Sequence, residues 1–171
     1  MTDETDRPIV VMGVQGSGKS TVGRGLAEAL GKRFIDGDDL HTAAAKAKMA
    51  SGNSLTDDDR LPWLTRIAET IAAALEEGES VVVACSALKR RYRDLMRSIV
   101  PTLHFAQLEG SQGLIAERLS RRNHEYMPTA LLDSQFATLE PLSADEAGMR
   151  IDLTRTPDDI VRLITENIGQ R

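Results

Sequence analysis

Five short apolar runs, near residues 8–13, 33–35, 80–85, 103–108 and 149–153, are each followed by a stretch able to form a helix. Short apolar runs that alternate with stretches of helical period are the pattern of strands paired in parallel. The pattern predicts an α/β fold with a five-stranded parallel sheet flanked by helices. The first helix, about 19–30, puts Val22, Leu26, Ala29 and Leu30 on one face and stops at Gly31. The last opens with Thr156-Pro-Asp-Asp159, an N-cap followed by a proline and an acidic residue in the first turn. Ile160, Leu163, Ile164 and Ile168 then repeat at helical spacing, as in a helix that covers the sheet.

Two stretches interrupt the alternation. Residues 37–61 hold a helix-like Ala43–Met49, Gly52 and the acidic cluster Asp57-Asp58-Asp59 ahead of a long helix of about 61–77. They suit a substrate flap. Residues 120–142, preceded by Arg118, hold Arg121, Arg122, His124 and Pro128 before an amphipathic Leu131–Leu139. They suit a lid that closes over a nucleotide. No repeat or low-complexity linker divides the 171 residues, so residues 1–171 read as one domain carrying this flap and lid.

Composition narrows the function classes. The chain is 41% hydrophobic and 27% charged, and its longest apolar runs fall far short of a membrane span. Residues 1–7 are acidic and polar and do not resemble a signal peptide, which points to a cytoplasmic location. Cys85 is the single cysteine, which excludes an intrachain disulfide and a multi-cysteine metal site and leaves packing as its role. A net charge of −5 argues against broad nucleic-acid binding.

The chemistry begins directly after the first apolar run. Gly13-Val-Gln-Gly-Ser-Gly-Lys-Ser-Thr21 fits the phosphate-loop pattern G-x-x-x-x-G-K-[ST] between a strand and a helix. Gly13, Gly16 and Gly18 allow successive backbone N–H groups to face one anion, Lys19 reaches the β/γ-phosphates, and Ser20 offers a hydroxyl to Mg²⁺. With Ser17 and Thr21, these residues are the expected ATP-binding set.

A phosphate loop alone does not separate a kinase from a nucleotide switch or a motor ATPase. Phosphoryl transfer also needs a metal ligand, positive charge on the transferred group and a residue at the acceptor hydroxyl. Phe34-Ile-Asp-Gly-Asp-Asp39 places Asp36 and Asp38 just past the second strand, at the carboxyl edge of the sheet, with Gly37 as a bend between them. Asp36 is assigned to Mg²⁺ and Asp38 to the acceptor hydroxyl, with an exchange of the two roles left open. His41 suits either a hydrogen bond to a polyhydroxyl substrate or a cap on the following helix. Arg60 suits either a surface ion pair or, in the flap, a substrate carboxylate or vicinal hydroxyls. Lys89 and Arg93 share a helix face after the third strand and are assigned to the substrate. Arg118 and Arg122 are assigned to ATP, and Trp63 to packing.

These residues together resemble the bacterial-type gluconokinase family. The resemblance rests on the phosphate loop, Asp36-Gly-Asp-Asp-Leu-His41, Asp57-Asp-Asp-Arg60 with Pro62-Trp-Leu64, and Ala84-Cys-Ser-Ala-Leu-Lys-Arg90. Arg121-Arg122, Met127-Pro128, Ser134-Gln-Phe136 and Leu139-Glu-Pro141 extend it, so that it covers about residues 9–141. It implies a fold like the nucleoside monophosphate kinases and shikimate kinase, a homodimer, and transfer from MgATP to the 6-hydroxyl of D-gluconate. Gln135 joins the substrate set through the Ser-Gln-Phe block. The chain departs from the family pattern at Thr42, Ala45 and Ser54 in the flap, and by an extra residue in His124-Glu-Tyr-Met127 at the lid tip. The alternatives are a small kinase for shikimate, a nucleotide or another sugar acid, and a regulatory nucleotide-binding module.

Overall fold

A computed structural model describes residues 6–53, 55–122 and 129–169, with the backbone alone for Arg122, Thr129 and Ala130. Strands β1 (Ile9–Met12), β2 (Arg33–Asp36), β3 (Val81–Ala84), β4 (His104–Glu109) and β5 (Gly148–Asp152) form one sheet in the order β2-β3-β1-β4-β5. Every pairing is parallel. The helices are α1 (Lys19–Leu30), α2 (Ala43–Ala50), α3 (Asp57–Glu76), α4 (Arg90–Ile99), α5 (Gln112–Arg122), α6 (Thr129–Thr138) and α7 (Pro157–Gly169). Among the described residues, no helix is long and apolar enough to cross a membrane.

The central strands β1 and β3 are buried along their whole length. Successive side chains of β1 enter opposite cores. Val10 and Met12 pack with Leu64, Ile67 and Ile71 of α3 and with Tyr92 and Met96 of α4. Ile9 and Val11 pack with Val22 and Leu26 of α1 and with Ile160 and Ile164 of α7. The chain reverses direction across the sheet at β1, which lies between β3 and β4, and this opens a crevice at the carboxyl ends of the central strands.

Two local expectations change. Helix α3 begins at Asp57 rather than near 61, because Thr56 and Asp59 form a capping box. The Thr56 hydroxyl accepts from Asp59 N at 3.1 Å, and the Asp59 carboxylate accepts from Thr56 N at 2.8 Å. The three aspartates therefore sit in a first turn, where carboxylates oppose the helix dipole favourably. Pro62 lies inside the helix, in its second turn. Gly37 is needed for closeness rather than for bending. A Cβ there would stand 2.7 Å from the Ala84 carbonyl oxygen, so a larger residue would push the Asp36–Asp38 segment off the end of β3.

Candidate active site

The phosphate loop joins β1 to α1 at the carboxyl edge of the sheet. Gly18 precedes α1 with φ 97°, a left-handed conformation, and provides no side-chain cap. The first-turn amides of α1 thus lack both intrahelical acceptors and a capping oxygen, and no acidic residue in that turn offsets the helix dipole. Ser17 is buried, and its hydroxyl has no hydrogen-bond partner among the described residues. Such an arrangement is built for an anion that supplies the missing acceptors. Lys19 Nζ donates to the Val14 carbonyl at 3.0 Å. Burial lowers the Lys19 pKa from the usual lysine value, while Asp38, Cys85 and Asp36 oppose the shift. Cys85 packs in the core, where burial pushes its thiol up to about 12 and keeps it protonated.

Asp36 ends β2, and a short 3₁₀ turn, Gly37–Leu40, follows it. One Asp36 oxygen accepts from Asp38 N at 3.0 Å and so fixes the turn. The other accepts from the Ser20 hydroxyl at 3.4 Å. A serine hydroxyl and a carboxylate side by side at the phosphate loop are hard oxygen donors that fit Mg²⁺ carried with nucleotide phosphates and water.

A cavity of about 800 Å³ opens beside these groups, within the size range of small-molecule sites. Lys19, Asp38, His41, Arg60 and Gln135 all line it, so the fold gathers the phosphate loop, the turn after β2, the start of α3 and α6 around one space. His41 is buried and stacks on Trp63, with ring centroids 3.9 Å apart. Trp63 Nε1 donates to the Gly37 carbonyl at 2.8 Å, which ties this pair to the Asp36–Asp38 turn. Burial lowers the His41 pKa below the ordinary value, opposed by Asp38, and Nδ1 has no partner among the described residues. His41 does not cap the next helix. Thr42 does so, its hydroxyl accepting from Ala45 N at 3.1 Å, and this gives one departure from the family pattern a local structural role.

Arg60 lines the cavity from the first turns of α3, and its Nη1 donates to the Tyr92 hydroxyl at 3.2 Å. Lys46 of α2 also lines the cavity, although the sequence reading passed over it. A lysine on a short helix of alanines reads as a solvated residue, and its position on the cavity wall is a tertiary fact. Gln135 sits on α6, and its side-chain oxygen accepts from the phosphate-loop amide of Gln15 at 2.6 Å. Leu119 of α5 fills the space that a Cβ on Gly16 would occupy. Helices α5 and α6 therefore rest directly on the phosphate loop.

Two substrate assignments are corrected. Arg93 is fully buried and faces away from the cavity, with Nε and Nη2 donating to Glu146 at 2.8 and 3.0 Å and Nη1 donating to the Ala87 carbonyl at 2.9 Å. A guanidinium in the core must be paired, and Glu146, fifty-three residues later in the chain, provides the charge. Ala87 carries a left-handed backbone (φ 44°), so Arg93 also braces a strained loop whose neighbours Ser86 and Leu88 line the cavity. Lys89 is bound to Asp57 at 3.0 Å and does not line the cavity. Arg90, next to Lys89, makes an exposed bidentate pair with Asp145.

A second cavity of about 430 Å³ lies on the other side of the phosphate loop, lined by Gly16, Gly18, Thr21, Arg118 and Pro157. Arg118 donates to the Leu153 carbonyl at 2.8 Å and presents its stem to this space. Arg121 and Arg155 line it as well, and neither was assigned from the sequence. The Arg122 side chain, His124, Met127, Pro128 and Ser54 lie outside the described residues.

The AAA domain family matches residues 9–142. A thermosensitive gluconokinase of Escherichia coli (strain K12) is 45% identical over 145 residues, spanning 84% of this chain and 78% of that protein. The crystal structure of a gluconokinase from Sinorhizobium meliloti 1021 superposes with a TM-score of 0.90 at 44% identity, covering 97% of this chain and 93% of that one. Shikimate kinase from Acinetobacter baumannii shares the fold, with a TM-score of 0.65 at 20% identity over 96% of this chain and 94% of that one. With its phosphate loop and its aspartates Asp36 and Asp38 on one sheet edge, the chain belongs to the gluconokinase family of P-loop kinases.

Proposed function

We propose that this protein transfers the γ-phosphoryl group of ATP to the 6-hydroxyl of D-gluconate, giving 6-phospho-D-gluconate and ADP. The reading is carried by one observation. Arg60 faces the acceptor cavity and, among the described residues, has no carboxylate within ion-pair distance, whereas Lys48 is paired with Asp59 and Lys89 with Asp57. An available guanidinium at one end of a polar cavity, with Asp38 and Lys19 lining the same space, suits an acceptor with a carboxylate at one end and a hydroxyl at the other.

In this mechanism the α1 amides and Lys19 hold the phosphates and bear the charge that spreads over the transferred group. Ser20 and Asp36 would hold Mg²⁺, which neutralises charge on the phosphate oxygens. Asp38 orients the acceptor hydroxyl and takes its proton. The buried, neutral His41 offers Nδ1 to a substrate hydroxyl, and Lys46 adds positive charge on the flap side. Arg118, Arg121 and Arg155 flank the nucleotide base, and Arg122 belongs to the ATP set by the family resemblance. Closure of the lid excludes water as a competing acceptor. A single kinase domain with a flap at 37–61 and a lid at 120–142, a homodimer and a cytoplasmic location belong to the same proposal.

ADP release tested with gluconate, glucose, other sugar acids, shikimate and nucleoside monophosphates decides the reading. Gluconate is expected to be the best acceptor, and Arg60→Ala to narrow its advantage over glucose. A charge-assisted hydrogen bond is worth about 1.5–3 kcal/mol, a preference of about tenfold to more than a hundredfold. Equal use of glucose and gluconate by the unmodified protein overturns the carboxylate assignment.

A further inference from the structure

We infer that Tyr92 and Asp57 form a positioning relay that holds Arg60 toward the acceptor cavity. The inference rests on the acceptor role proposed for Arg60 and explains how a flexible side chain becomes a fixed anion receptor.

Asp57 and Arg60 lie one turn apart at the start of α3, and Tyr92 approaches from α4 with 2% of its surface exposed. Asp57 and Arg60 make no direct ion pair in the structure, and the phenol stands between them. A phenol has one proton. That proton is committed to Asp57 Oδ1, which leaves the oxygen lone pairs for Arg60 Nη1 at 3.2 Å. The direction of the chain is therefore fixed from Arg60 to Tyr92 to Asp57.

The charges around the relay support the same reading. Asp57 also accepts from Lys89 at 3.0 Å and from Arg91 at 3.0 Å, so this carboxylate is shared by other cations and does not neutralise Arg60. The Tyr92 ring carries Lys89 at 5.6 Å and Arg60 at 5.8 Å from its centroid. Hydrogen bonds from Tyr92 and Lys89 lower the Asp57 pKa and keep the carboxylate ionised, while burial and the Asp57 contact raise that of Tyr92 and keep the phenol protonated. Arg60 is thus held by a neutral partner that leaves its charge intact. Among the described residues one of its five N–H donors is used, and the others face an incoming carboxylate. A receptor held in this way loses less side-chain freedom on binding than a free arginine does.

The test is steady-state kinetics on the full chain, with gluconate and MgATP varied in turn, for the wild type, Arg60→Ala, Tyr92→Phe and the double variant. Tyr92→Phe keeps the buried ring and removes only the hydroxyl. The expected result is a gluconate KM raised about tenfold, the scale of one hydrogen bond to a charged group, with kcat and the KM for ATP essentially unchanged. Adding Tyr92→Phe to Arg60→Ala should raise the gluconate KM no further, because Tyr92 acts through Arg60. Full additivity in the double variant, or equal changes in both substrates' KM values, overturns the relay and leaves Tyr92 a packing residue. If Arg60→Ala alone leaves the gluconate KM unchanged, the acceptor reading itself fails, and the relay with it. Should Tyr92→Phe fold poorly, Asp57→Asn tests the same relay from its far end. A gluconate-specific rise in KM supports it, and a change confined to thermal stability overturns it.

Discussion

Replacing Arg93 by methionine separates a structural arginine from a substrate-binding one. The substitution keeps most of the apolar stem and removes the donors that reach Glu146 Oε1 at 2.8 Å, Glu146 Oε2 at 3.0 Å and the Ala87 carbonyl at 2.9 Å. Both side chains of the ion pair are fully buried. Breaking such a pair costs about 3–5 kcal/mol, because the remaining charge stays in the core. Here Glu146 keeps Arg97 Nη2 at 2.8 Å and Ser143 N at 2.9 Å, so the lower end, about 3 kcal/mol, is expected. The titration of Glu146 reports the network as a whole, Arg93 together with Ser143 and Arg97. Burial raises its pKa, but hydrogen bonds from Arg93, Ser143 and Arg97 outweigh this and bring it down from 4.5 to about 2. A depression of that extent corresponds to about 3 kcal/mol. The folded-state pKa lies below the unfolded one, so this stabilisation is fully present above about pH 4.5 and is lost as pH falls toward 2. For a protein of this length about 3 kcal/mol lowers the melting temperature by roughly 6–12 °C. Circular-dichroism melts at neutral pH and near pH 4 measure the loss, which should shrink in acid, and ADP-release kinetics well below the transition measure substrate binding. The gluconate KM is expected to stay unchanged. A melting shift below about 2 °C together with a gluconate-specific rise in KM would return Arg93 to the acceptor site and refute the buried-pair argument.

Lys19→Ala should abolish phosphoryl transfer while preserving the fold, since Lys19 Nζ donates, among the described residues, to the Val14 carbonyl alone; ADP release and circular dichroism on the same sample test both halves. Asp38→Asn should lower kcat by about 100-fold or more while leaving nucleotide affinity intact; a loss of affinity without a loss of kcat would exchange its role with that of Asp36. Burial places the His41 pKa below 6.5, so the stability gained from its neutral form is present above pH 6.5 and fades as pH falls through the folded value. Urea unfolding midpoints between about pH 7.5 and 5.5 should therefore fall further in the wild type than in His41→Gln, and parallel slopes would contradict this.

The order of elements was legible in the sequence because it is set by local patterns. Strand runs and helical periods appear within single segments, and the strands β1 to β5 lie within a residue or two of the predicted runs. The phosphate loop was equally legible, since its chemistry depends on backbone freedom at Gly16 and Gly18 and on Lys19 and Ser20 at fixed spacing. The pairing of Asp36 with Ser20 needed one further inference, that the ends of parallel strands share an edge, and the parallel sheet satisfied it.

Tertiary structure decided which cations are available for a ligand. In sequence Arg60, Lys89 and Arg93 are alike, three basic side chains on helices near the site. In the fold Glu146, Asp57 and Tyr92 sort them, because burying or pairing a charge depends on what distant segments bring within about 4 Å. Arg93 meets Glu146 in the core, Lys89 meets Asp57, and Arg60 meets a phenol and, among the described residues, no carboxylate, while it lines the cavity. The role of Gly37 was hidden for the same reason, since its close neighbour is a carbonyl of β3, far along the chain. Local spacing fixes which groups a segment offers, whereas long-range packing fixes which of them keep a free valence for a ligand.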